Sequence, residues 1–183
     1  IGATNFDMAD QLADLGMEAI HSKASKEMEH SDIPIRVKNT FEPNDPGTII
    51  SRDYTSPIPR VEMICGKKDI IGIEVFDSEM VGQSGYDHRL LKYFFDNNIS
   101  YIAKNTNANT ITHYISEKCQ GIDKCVAGIK AEFAGAKVDV EKVAIISVIG
   151  SNMKIPGFLH RSAKALAKEN VNVLALDQCM RQV

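Results

Sequence analysis

No stretch of this 183-residue sequence approaches the roughly 18 consecutive apolar residues that a membrane span needs, so nothing in it points to a bilayer. Charge of one sign is also scarce. Its 21 Lys and Arg against 24 Asp and Glu leave a net charge of −3, which gives no general attraction to nucleic acid or to an anionic surface. The four cysteines, at 65, 119, 125 and 179, include no pair at the two-residue spacing of zinc hooks or redox dithiols. Cys119 and Cys125 flank a helix start, where a disulfide is possible, but four reduced thiols in a cytoplasmic protein is the favoured reading. No GxxxxGKS/T or GxGxxG phosphate cradle occurs, and no carboxylate pair is placed for acid–base work. Among the five histidines, His88 and His160 fall on exposed helix starts, and neither they nor His21 and His113 have a second ligand at metal spacing. Catalysis by this chain alone, and a bound metal, are therefore not expected. The start, Ile1-Gly2-Ala3-Thr4-Asn5, has neither an initiator Met nor a charged stretch leading into an apolar one. That is no signal peptide, and it reads as a beginning inside a longer chain.

What the sequence does contain is a repeat. Gly85-Tyr86-Asp87-His88-Arg89-Leu90-Leu91-Lys92 returns as Gly157-Phe158-Leu159-His160-Arg161-Ser162-Ala163-Lys164, an offset of 72 residues. The same offset carries Asn98-Ile99-Ser100 onto Asn170-Val171-Asn172. In the first copy Ile70 to Phe76 reads as a strand. A loop with Gly82 and Gly85 leads into a helix from Tyr86 to Asn97, with Leu90, Leu91, Phe94 and Phe95 on one face. Ile99 to Lys104 and Thr110 to Ile115 form a hairpin around the Thr106-Asn107-Ala108-Asn109 turn. A helix from Ile122 to Phe133 and a strand from Val138 to Val140 complete a β-α-β-β-α-β order, the split ferredoxin-like motif. The second copy supplies a strand (Val143 to Ile149), a helix (Gly157 to Glu169) and a strand (Val171 to Leu176), then stops, so further residues are expected beyond Val183. Upstream, Asp7 to His21 and Ser22 to His30 are helical and Ile33 to Val37 is a short strand. Pro57 and Pro59 mark Ser51 to Arg60 as a linker. The expected fold class is α+β, with domains at 1–50, 61–141 and 142–183 and the linker at 51–60.

Ser84 and Asp87 fit a capping box at the first-copy helix. A helix start offers free N–H groups and partial positive charge to a carboxylate, and Gly82 and Gly85 allow close approach of a ligand. Ser100, Tyr101 and Ile102 face it from the strand, with Thr106 and Asn107 on the turn. Met80 and Met153 read first as core filler.

Gly16 to Ala24, followed by Ile33-Pro34-Ile35-Arg36-Val37-Lys38-Asn39-Thr40-Phe41-Glu42-Pro43-x-x-Pro46-Gly47-Thr48, resembles the end of the catalytic domain of aspartokinases, with Ser22 where that family usually has Pro. The paired βαββαβ units resemble the two ACT domains that follow it. Asn107 to Tyr114 is similar to the aspartokinases linked to ectoine synthesis. The resemblance implies a parent enzyme that phosphorylates L-aspartate with ATP and Mg. It places Asn39, Thr40, Phe41 and Glu42 near the nucleotide. It also implies a lysine or threonine effector at Met80, Gly82, Gly85, Tyr86, Asp87, Ser100, Tyr101 and Ile102, and a homodimer through the ACT units. Against this stand a free-standing ACT-type amino-acid sensor and a dimerisation module without ligand.

Overall fold

The computed structural model describes residues 2–14, 17, 19–153 and 156–177. Over these the protein is α+β, with two sheets and five α-helices. The chain divides into two compact units: Ile1–Gly66 groups with Ile146–Leu174, and Lys67–Ile145 with Ala175–Asp177.

In the first unit, β1 (Ala3–Thr4), β3 (Thr48–Ile50) and β2 (Ile35–Val37) form a sheet in the order β1-β3-β2. The expected first helix is shorter, α1 (Phe6–Asp14), and a separate α2 covers Ser22–His30. Phe6, Ala9 and Ile50 make a small core with Met28, Ile35 and Val37 around it. Asn5 is the hinge pin of this region. Its Oδ1 accepts the Met8 N–H at 2.9 Å and its Nδ2 donates to the Tyr54 carbonyl at 3.0 Å, so one buried side chain starts α1 and ties down the Pro-rich segment. His21 likewise caps α2, accepting from Lys23 N–H at 3.2 Å. The same unit holds α5 (Phe158–Lys168), none of whose residues is buried.

The second unit is the complete repeat. Its strands come from β4 (Arg60–Phe76), β5 (Tyr101–Thr106), β6 (Thr110–Ser116) and β7 (Lys137–Ser151), in the order β5-β6-β4-β7. The split motif therefore has its expected topology: the first strand lies between the third and the fourth, and the second is at the edge. Two strands run longer than expected. β4 begins at Arg60, inside the expected linker, and Lys137–Ser151 is continuous where two separate strands were expected. Helices α3 (Tyr86–Asp96) and α4 (Ile122–Glu132) contribute Tyr86, Leu90, Phe94, Cys125 and Ile129 to one core with Ile73, Val75, Ile111 and Ile115. The strand positions alternate, as a sheet with one covered face requires. Of the four apolar α3 residues expected inward, Leu90 and Phe94 are buried, but Phe95 is 83% exposed. Tyr86, Leu90 and Phe94 fall four apart and share one stripe; Phe95 sits about 100° round the helix.

One expected strand is absent. Val171 to Leu176 is exposed and unpaired. In the complete copy β5 ladders only on β6. The second copy has, among the described residues, no third strand to fill that middle place. Cys65, Cys119 and Cys125 are free thiols, so the 119–125 disulfide does not form, and burial pushes the Cys125 thiol up to about 11. Cys179 lies outside the described residues.

Candidate ligand site at the start of α3

The loop entering α3 is held by Asp77. Its backbone N–H donates to the Asn109 carbonyl at 2.9 Å, its Oδ1 accepts Glu79 N–H at 2.9 Å, and its Oδ2 accepts the Tyr86 hydroxyl at 2.7 Å. Burial, and then the Asp77 carboxylate, hold the Tyr86 phenol far above its ordinary range. Tyr86 is 4% exposed and packs on Phe133 with ring centroids 4.7 Å apart. The expected side-chain cap does not form. Gly85, with φ +76°, is itself the N-cap, and no side chain caps the helix. A left-handed N-cap suits glycine. It leaves the first-turn N–H groups of α3 without a side-chain partner.

Strand pairing brings a charged cluster to this helix start. Lys104 on β5 and His113 on β6 are cross-strand partners. Lys104 Nζ lies 2.5 Å from Asp87 Oδ2, and His113 Nε2 lies 4.0 Å from Asp87 Oδ1. His113 is fully buried on the helix-facing side with Ile111 and Ile115. Its ring lies 4.4 Å from Phe94 and edge-on to Tyr101 at 5.5 Å. Neither His113 nitrogen has a hydrogen-bond partner, nor does the buried Asp87 Oδ1. Burial first, then the Lys104 charge, lowers the imidazole to about 4, against a smaller upward pull from Asp87. His113 is thus neutral at physiological pH.

The residues named from sequence divide clearly. Gly82 and Gly85, both at positive φ, shape the loop with open space above them. Asp87 carries the ion pair. Tyr101 is half exposed, and Ile102 is the extra residue of a bulge between Tyr101 and Ala103. Ser100 and Thr106 are exposed. Met80 lies in the core, 7% exposed, as core filler would. Asn107 turns its Oδ1 to the N–H groups of Asn109 and Thr110, at 3.1 and 2.9 Å, and so builds the hairpin turn. Asp77 and Lys104 carry no local sequence signal of a site, and His113 reads from sequence only as a histidine without a metal partner. The alternation Ile111, His113, Ile115 is the signal that puts it inward.

In the first unit, Asn39 to Glu42 form the β2–β3 turn. Asn39 Oδ1 accepts Phe41 N–H at 3.1 Å, and Phe41 is 92% exposed. Asn39 and Glu42 line a depression of about 460 Å³ with Gly2, Lys38, Asp45 and Gly47. Gly47, at φ +75°, is required here, since a Cβ would lie 2.2 Å from the Val37 carbonyl oxygen. Among the described residues no group of three or more His, Cys, Asp or Glu side chains could hold a metal ion.

No protein-family profile matches the sequence. Individual proteins do. The chain is 43% identical over its whole length to the aspartate kinase Ask_Ect of Stutzerimonas stutzeri, spanning 38% of that protein. The homologues of this chain are aspartokinases. Among solved structures, the aspartate kinase of Clostridium acetobutylicum, described as an allosteric enzyme, matches all of the chain at 25% identity with a TM-score of 0.92, over 43% of its own length. Escherichia coli aspartokinase III in complex with lysine and aspartate matches all of it at 17% identity with a TM-score of 0.73, over 41% of its length. The chain thus spans less than half the length of each of these three relatives. No helix among the described residues is long and apolar enough to cross a membrane.

Proposed function

We propose that this chain is the regulatory region of an aspartokinase, that its complete βαββαβ unit binds an amino-acid effector, and that it forms a homodimer. The observation that carries the reading is the preformed loop at α3. Asp77 fixes both ends of it, and the helix start it leaves uncapped is suited to an amino acid's carboxylate. Lysine and threonine are the effectors that the family resemblance implies, and the E. coli relative is described in complex with lysine. Dimerisation is supported by the surface at β5. Beside that strand Leu91, Phe95, Ile99 and Tyr101 line an apolar depression of about 360 Å³ that a second copy would cover.

Phosphorylation of the L-aspartate side chain by ATP with Mg is proposed for the longer protein. Asn39 and Glu42 in their depression, beside the exposed Phe41 ring, suit one edge of a nucleotide site. The ectoine-linked type, on the Asn107 to Tyr114 segment, and a cytoplasmic location belong to the same reading. The test is calorimetric titration of the folded chain with lysine, threonine and aspartate, beside sedimentation. Saturable binding of one of them by a dimer is expected; a monodisperse monomer that binds none contradicts the reading.

A further inference from the structure

The α3 site carries its own cation. Asp87 is the one acidic side chain in the first turn of α3. Its Oδ2 is held by Lys104 at 2.5 Å, while its Oδ1 is buried and faces His113 at 4.0 Å. A ligand ammonium seeking the Asp87 carboxylate would have to displace Lys104 from a close, partly buried ion pair. Its burial keeps His113 neutral, so it adds no charge of its own. The helix start and Lys104 are donor-rich. The α3 N-terminus lacks a side-chain cap, and Lys104 has three N–H donors, only one of them needed for Asp87. β5, as an edge strand, leaves backbone carbonyls on its outer side without a ladder partner.

We propose that this site selects an acidic amino acid over a cationic one. One ligand carboxylate would sit on the α3 N-terminus, the second on Lys104, and the ligand ammonium on β5 carbonyls. This rests on the reading of the α3 loop as an effector site and names the ligand class for it. His113, neutral and packed behind Asp87, is a positioning residue that keeps the carboxylate turned towards Lys104.

Calorimetry at neutral pH with L-aspartate, L-lysine and L-threonine decides the matter. L-aspartate is expected to bind at least tenfold more tightly than L-lysine. Lys104→Met, which frees Asp87, should weaken L-aspartate at least tenfold and strengthen L-lysine; Lys104→Gln serves if that variant melts early. Lysine binding the unaltered chain as tightly as aspartate overturns the inference while leaving an effector site in place. Binding of none of the three at millimolar concentration overturns the effector reading and this one together.

Discussion

The two copies of the repeat start their helices in the same way and end in very different environments. Gly85 and Gly157 are both left-handed N-caps, at φ +76° and +85°, and neither helix has a side-chain cap. Both helices run for 11 residues. Yet α3 buries Tyr86, Leu90 and Phe94, whereas α5 buries nothing. The corresponding α5 stripe is Phe158, Ser162 and Leu166, with a serine in place of Leu90. Among the described residues the second copy supplies no hairpin like β5–β6. Local sequence sets where a helix begins and how long it is; burial depends on partners from elsewhere in the fold.

The comparison can be broken first by truncating equivalent positions. Phe94→Ala should cost about 3–5 kcal/mol, read as a fall in urea midpoint, while Leu166→Ala at the matching place should cost under about 1 kcal/mol. Equal losses would mean that the second copy packs as the first does.

The next effect belongs to the first copy alone. His113 is held near 4 in the folded protein and returns to about 6.5 when unfolded. The unfolded chain therefore binds the proton first as pH falls. The stability from keeping this imidazole neutral is whole above pH 6.5 and is lost between there and about 4, by about 3 kcal/mol at most. His113→Leu should flatten that part of a pH–stability curve; an unchanged slope would assign it to other groups. Asp77→Ala, which orphans the buried Tyr86 hydroxyl, should cost about 1–3 kcal/mol in the same denaturation assay. Smallest, Gly85→Ala and Gly157→Ala should each cost about 1 kcal/mol and cost the same, because a Cβ meets nothing within 4 Å at either place and only backbone strain is added.

The sequence made the repeat, the element order and the loop glycines legible, since each is written in neighbouring residues. It misplaced the helix cap: Ser84 has the right chemistry, but the chain takes its left-handed turn at Gly85 and the helix starts there. It gave α3 too wide an apolar face because four apolar residues were read without the 100° that separates Phe94 from Phe95. The cluster at the site was hidden for a different reason. Lys104 lies 17 residues from Asp87, and His113 joins them only through the β5–β6 register. No local pattern encodes that meeting.

On the proposed function the first copy, and not the second, binds the ligand. Amide hydrogen exchange with and without saturating L-aspartate, with L-lysine as the control, tests it most directly. Aspartate is expected to slow exchange over 77–90 and 100–106 and to leave 158–168 unchanged. Slowing confined to 158–168, or none in the α3 loop despite measured binding, would contradict it.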